Sequence, residues 1–251
     1  MEPVFVPIKI DGPVHDPKKG TFWYGPFSEA AAVFDVNGDG QLDISCGSSW
    51  YEGPGWKKHE NYRPNAFVKG EFVNNCGEHA VDVNGDGLND IIYGHGHTYG
   101  LGWLEQTRVN DGAAREFREH EIAVLPGQFH TLVLADVNQD GHLDLVTGKR
   151  LRPHAGRDPS SFDPLGLFWF DIRGGTFVRH VLSYNNLPWY PEKETRNPPP
   201  NYAIGTGMSI LVVDVDRDGK VDIVVGGKSG LYLFANRGLP PTPAFGIENS
   251  E

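Results

Sequence analysis

Four stretches of this chain, 35–43, 82–90, 136–144 and 214–222, share one pattern, Asp-x-[Asn/Asp]-x-Asp-Gly-x-x-Asp. Side-chain oxygens come from Asp35, Asn37, Asp39 and Asp43 in the first, and from Asp82, Asn84, Asp86 and Asp90 in the second. The third offers Asp136, Asn138, Asp140 and Asp144, and the fourth Asp214, Asp216, Asp218 and Asp222. At position seven Gln41, Leu88, His142 and Lys220 each add a backbone carbonyl, and a glycine at position six makes the sharp turn. A hard cation collects oxygens in this way, so the spacing predicts four structural Ca2+ sites. One Asp-Gly run is an ordinary hairpin turn, whereas four copies with the same side chains point to an ion.

The loops sit between apolar, β-rich runs, not between the helices of an EF-hand, and they lack its closing glutamate. Ala31 to Phe34, His79 to Val81, Thr131 to Ala135 and Ile210 to Val213 precede them. Ile44 to Cys46, Ile91 to Tyr93, Leu145 to Thr147 and Ile223 to Val225 follow. An aromatic third strand comes next in every unit (Trp50 to Glu52, Gly102 to Glu105, Leu167 to Asp171, Leu231 to Phe234), and a fourth in three of them. Loop starts lie 47, 54 and 78 residues apart, a period that predicts propeller blades with insertions. The expected fold is all-β: a four-bladed β-propeller of four-stranded antiparallel blades, in one domain over 1–251, with blades at about 27–62, 78–123, 130–183 and 207–236. The fourth unit lacks an outer strand, and Val4 to Ile10 at the other end of the chain is expected to supply it. The alternative is an incomplete arc that closes only by oligomerisation. Residues 152–164 and the proline-rich 184–207 read as loops.

Alternating strand direction puts the calcium loops on one face of the disc and leaves the other face for function. That opposite face gathers His79, His97, His130 and His154, with Lys149 and Arg150 beside them. Imidazoles at a propeller mouth suit a further divalent metal, Zn2+ or Mg2+, or proton transfer. The lysine–arginine pair suits an anionic or oxygen-rich small ligand. His59, His120 and His180 recur at one position of the outer strands and read as repeat packing.

The loops and their period resemble the FG-GAP/VCBS repeat proteins. The stretches His97-Thr-Tyr-Gly-Leu-Gly-Trp-Leu-Glu-Gln106, Phe129 to Asp136 and Thr147 to Arg150, with His154 and Asp158-Pro159, are similar to bacterial repeat proteins related to the propellers of aldos-2-ulose dehydratase. That resemblance implies a metal-assisted carbohydrate lyase or dehydratase, a carbon–oxygen lyase acting on a keto-sugar or uronate. His79, His97, His130 and His154 are then ligands or bases, and Lys149 and Arg150 hold an anionic intermediate. The alternative is a non-catalytic propeller that binds a glycan or a protein partner.

Composition narrows the partners. The formal charge is −11, and 13 aspartates of the four loops carry much of it. Nucleic acid and anionic membranes need basic patches and are not expected. No apolar run approaches the length of about eighteen residues that a membrane span requires. A monomer is expected, with a small carbohydrate or glycan as ligand. No secretory leader precedes the strand-like Val4, yet calcium sites of this kind fill at the concentrations found outside the cytosol, so a secreted or periplasmic mature chain is expected. Cys46 and Cys76 allow one bridge or two free thiols.

Overall fold

Short β-branched runs separated by Asp-Gly turns can satisfy their backbone groups only by pairing with their neighbours in sequence. A computed structural model of the protein describes residues 3, 5–12, 14–16, 21–23, 29–60, 62, 75–108, 115–124, 126–185 and 204–238, and in it they do so. A hairpin of β1 (Val14–Asp16) and β2 (Thr21–Trp23) precedes the repeats. The first sheet holds β3 (Ala32–Phe34), β4 (Asp43–Cys46), β5 (Ser49–Glu52) and β6 (Lys57–Glu60). The second holds β7 (Cys76–Val81), β8 (Asp90–Gly94), β9 (Leu101–Arg108) and β10 (Arg115–Ala123). The third holds β11 (Phe129–Ala135), β12 (Asp144–Lys149), β13 (Leu165–Arg173) and β14 (Thr176–Asn185). The fourth has three strands, β15 (Ser209–Val213), β16 (Asp222–Gly227) and β17 (Gly230–Phe234). All pairings are antiparallel. Among the described residues there is no α-helix and so none long and apolar enough to cross a membrane; one 3-10 turn spans Pro153–Gly156.

The first strands of successive sheets are neighbours, β7 lying against both β3 and β11, and β11 against β15. Strand alternation then gives each sheet two faces. Phe34 of the first sheet meets Ile91 and Leu104 of the second in one buried cluster. Ile92 and Trp103 on the second sheet's other face meet Leu145 and Phe170 of the third, and Val146 and Leu167 meet Ile223 and Val225 of the fourth. Each of the first three sheets carries a cross-strand Trp–His stack on the face turned to the next sheet. Trp50–His59, Trp103–His120 and Trp169–His180 have ring centroids 3.9, 4.6 and 3.9 Å apart. His59 and His120 also bond Glu52 and Glu105 at 2.7 and 2.8 Å, which accounts for their recurrence as packing groups.

The fourth sheet ends the series differently from expectation. Val4 lies outside the described residues, and 5–10 belong to no strand; Phe5, Val6 and Ile8 are exposed, Phe5 by 89%. Among the described residues no closing outer strand is therefore found. Pro7 removes a ladder donor from the middle of the segment. Asp11, four residues on, is tethered to the first sheet: it accepts from the Tyr51 hydroxyl at 2.8 Å and pairs with Lys58 at 2.9 Å. With no sheet beyond it, the far face of the fourth sheet exposes Leu211, Leu231 and Leu233, and Val33 is exposed on the outer face of the first. No contact as extensive as those between the other first strands joins β15 to β3, so among the described residues the four sheets form an unclosed arc. The expected loop at 184–207 lies mostly outside the described residues.

Candidate functional site

The four Asp-Gly loops connect the first strand of each sheet to the second, and glycine at position six adopts φ of +83, +83, +88 and +89° in turn. Asp35 at position one gathers the amides of Gly38, Asp39 and Gly40 at 2.7–3.1 Å, and Asp82 repeats this arrangement with Gly85, Asp86 and Gly87. These bonds curl positions one, three and five together. In the fourth loop, oxygens of Asp214, Asp216 and Asp218 lie within 4.8 Å of one another. The donor set is all oxygen and largely anionic, which fits Ca2+.

Position nine, the fourth expected side-chain oxygen donor of each loop, also ties the strands together. Asp43, Asp90, Asp144 and Asp222 are buried, and each accepts the amide of the residue following position one, at 2.8–3.0 Å. In three loops the other oxygen takes an amide from the end of the third strand: Gly53, Gln106 and Asn236, each at 2.8 Å. In the third loop that oxygen, Asp144 Oδ1, is buried without a partner. Burial pushes the Asp90 and Asp144 carboxyls up to about 6 despite these bonds, with neighbouring loop carboxylates adding to the shift. Among the described residues, ion pairs to loop carboxylates occur in the third and fourth loops, where Arg173 pairs with Asp140, Lys220 with Asp218 at 3.0 Å and Arg237 with Asp216 at 3.2 Å, while Arg115 reaches the first loop by donating to the Asn37 carbonyl at 2.8 Å.

On the opposite face four unlike donors converge. Glu29 enters from the segment before β3, Cys76 opens β7, His97 follows β8, and His130 lies in β11. One ligand atom from each falls within a 4.8 Å group. His97 Nε2 stands 3.0 Å from Glu29 Oε2 and 3.9 Å from Cys76 Sγ; Cys76 Sγ and His130 Nε2 are 3.2 and 3.8 Å from the same carboxylate oxygen. The approach is close because Gly96 has no side chain: a Cβ there would lie 2.3 Å from Cys76 Sγ and 2.9 Å from His130 Cδ2. His97 Nδ1 faces Asp158 Oδ2 at 3.4 Å, and His154, stacked on His97 with centroids 5.0 Å apart, holds the same carboxylate at 2.9 Å. A carboxylate on the far nitrogen of a ligating imidazole fixes its tautomer.

Burial, then the charges of Arg150 and His97, hold the His130 imidazole down to about 4, so it is a neutral donor near pH 7. The His97 hydrogen bond keeps the Glu29 carboxyl ionised to lower pH than usual, and burial beside Glu29 pushes the Cys76 thiol up to about 12. Sulfur, imidazole and carboxylate within tetrahedral reach fit a borderline-soft ion such as Zn2+ better than Mg2+, whose preference is oxygen.

The structure thus brings His97, His130 and His154 together and joins to them Glu29, Cys76 and Asp158. His79 lines a shallow depression with Glu29 and His130, but its Nε2 is engaged with the Leu132 carbonyl at 2.9 Å. Lys149 is fully buried, its nitrogen 3.5 Å from the Arg150 carbonyl, and burial lowers it to about 8. Arg150 bridges to Thr206 through its backbone, while its charge reaches Cys76 and His130. Cys46 and Cys76 are not joined in a disulfide, and Cys46 stands apart from the cluster. The lone Cys76 gave no sequence signal as a ligand; its one hint was its place three residues before His79 on an inner strand.

The FG-GAP-like repeat family matches residues 82–147, which take in the second loop, the second sheet from that loop onward, and the third loop. No curated protein matches the chain.

Proposed function

We propose that this chain, an FG-GAP/VCBS repeat protein, is a calcium-stabilised propeller-type scaffold that presents one further divalent metal for carbohydrate lyase chemistry. The observation that carries this reading is the convergence of Glu29, Cys76, His97 and His130 from three sheets on the face away from the Asp-Gly loops. Apolar packing has no need of two imidazoles and a half-exposed carboxylate gathered about one thiol. A bound Zn2+ supplies Lewis acidity to a sugar carbonyl. Glu29, half-exposed, is the ligand best placed to give way to substrate. Asp158 orients both His97 and His154. His154, also half-exposed, keeps Nδ1 on Asp158 and offers Nε2 to take the proton next to the carbonyl; the imidazolium then gives that proton to the β-oxygen as the C–O bond breaks, so that water or an alcohol leaves. The Arg150 guanidinium adds positive charge to balance an enolate-like intermediate.

The test is metal content followed by turnover. Protein purified without chelating tags should hold one equivalent of zinc, which Cys76→Ser and His97→Ala should remove while leaving calcium content unchanged. The zinc-loaded protein should generate ultraviolet absorbance of an unsaturated product from a keto-sugar or oligosaccharide panel. Wild-type protein without zinc affinity, or mouth variants with unaltered zinc, would sink the proposal.

A further inference from the structure

A second site adjoins the mouth. Two depressions of about 360 and 520 Å3 share Tyr99 and Val124 as a common wall between the second and third sheets. Tyr99, two residues beyond His97, lies in the loop between β8 and β9, Val124 follows β10, and Tyr184 belongs to β14. These three are among the exposed large apolar side chains, Tyr184 by 51%. They lie at the second and third sheets, away from the first and fourth that end the described arc, so the open ends do not explain them. Three carboxylates stand between them: Glu119 and Glu121 on β10, and Asp163 before β13. Glu119 accepts from the Tyr93 hydroxyl, which fixes that phenol ring, and burial together with the nearby Asp163 carboxylate raises the Tyr99 phenol pKa. Lys149, whose charge acts on Asp163, is fully buried and does not line the groove.

Flat phenol faces beside carboxylates match the apolar C–H faces and the hydroxyl edge of a pyranose. The negative charge repels a uronate or sulfated chain. We infer that this groove is a glycan subsite for an uncharged oligosaccharide, with Tyr99 and Tyr184 as stacking platforms and Glu121 and Asp163 as hydroxyl acceptors. The inference rests on the carbohydrate part of the proposed function, not on its metal. It selects neutral glycans over the uronates that Lys149 and Arg150 suggested.

Calorimetric titration of the calcium-loaded protein with cellohexaose, xylohexaose, mannohexaose and hexagalacturonate tests it. At least one neutral hexasaccharide should bind, and Tyr99→Ala and Tyr184→Ala should each weaken it by about tenfold. Glu121→Lys should weaken the neutral ligand and strengthen hexagalacturonate. His97→Ala, which disables the proposed metal centre, should leave groove affinity within about threefold. Binding that survives in a protein shown to hold no zinc retains the groove and removes the metal reading. Zinc binding without any neutral-glycan binding does the reverse. Tighter binding of hexagalacturonate to the wild type, or indifference to both tyrosine variants, overturns the inference.

Discussion

Asp86 and Asp90 occupy one Asp-Gly loop, yet the structure gives them different work, and paired substitutions should separate the two roles. Asp90 is fully buried, accepting Val83 N at 3.0 Å and Gln106 N at 2.8 Å. Asp90→Ala leaves two buried amides without acceptors, at about 1–3 kcal/mol each, so a loss of about 2–6 kcal/mol is expected. That loss does not depend on calcium and should persist in excess EDTA. Asp86 is exposed, and its Oδ1 accepts only Leu88 N at 2.8 Å from outside its own residue. Water can replace that bond, so Asp86→Ala should cost under about 1 kcal/mol in EDTA. Its larger effect appears when calcium is added: a site held at about a hundredfold over its dissociation constant contributes about 2.7 kcal/mol by linkage, and the variant should forfeit it. Urea melts of wild type and both variants, in EDTA and in millimolar calcium, read all four terms. Equal losses for the two variants in EDTA would refute the assignment of position nine as a strand staple. An identical calcium increment in wild type and Asp86→Ala would refute the loop as an ion site.

Calcium titration should fill the first two loops before the last two, because Arg173, Lys220 and Arg237 already neutralise carboxylates of the third and fourth; single-loop variants followed by calorimetry would resolve the order. Trp103→Ala should lower unfolding free energy by about 3–5 kcal/mol, since the ring is 5% exposed and packs between sheets, with urea unfolding as the measure. Arg217→Gly should raise stability by up to about 1 kcal/mol, because Arg217 sits at φ +62° where the first two loops have glycine; an unchanged or lower midpoint would contradict the strain argument. Removing residues 1–9, which keeps the Asp11 tether, should change stability by less than about 1 kcal/mol because Phe5, Val6 and Ile8 make no buried contact; aggregation of the truncated chain would show that they cover an edge.

The repeated loop and its period were enough to specify the local architecture. Asp-Gly turns at fixed phase force each strand to pair with its sequence neighbour, and so the three full sheets and the three-stranded fourth, with Trp50, Trp103 and Trp169 at one register, follow from short-range rules. The packing role of His59 and His120 was legible for the same reason, because a residue repeated at one strand position meets the same neighbours each time. Closure was not legible. Val4 to Ile10 has a strand's composition, but whether it joins β17 depends on where Asp11 is held, and Tyr51 and Lys58 lie some forty residues away. The donor cluster was legible only in part. His97 and His130 stood out as imidazoles on one face, whereas Glu29, Cys76 and Asp158 became partners only when three sheets and the β12–β13 loop were folded together. His79 occupies the same kind of position in its repeat, yet the Leu132 carbonyl of the next sheet holds its ring. Periodicity fixes which face a side chain leaves from; the rotation of one sheet against the next decides what it meets.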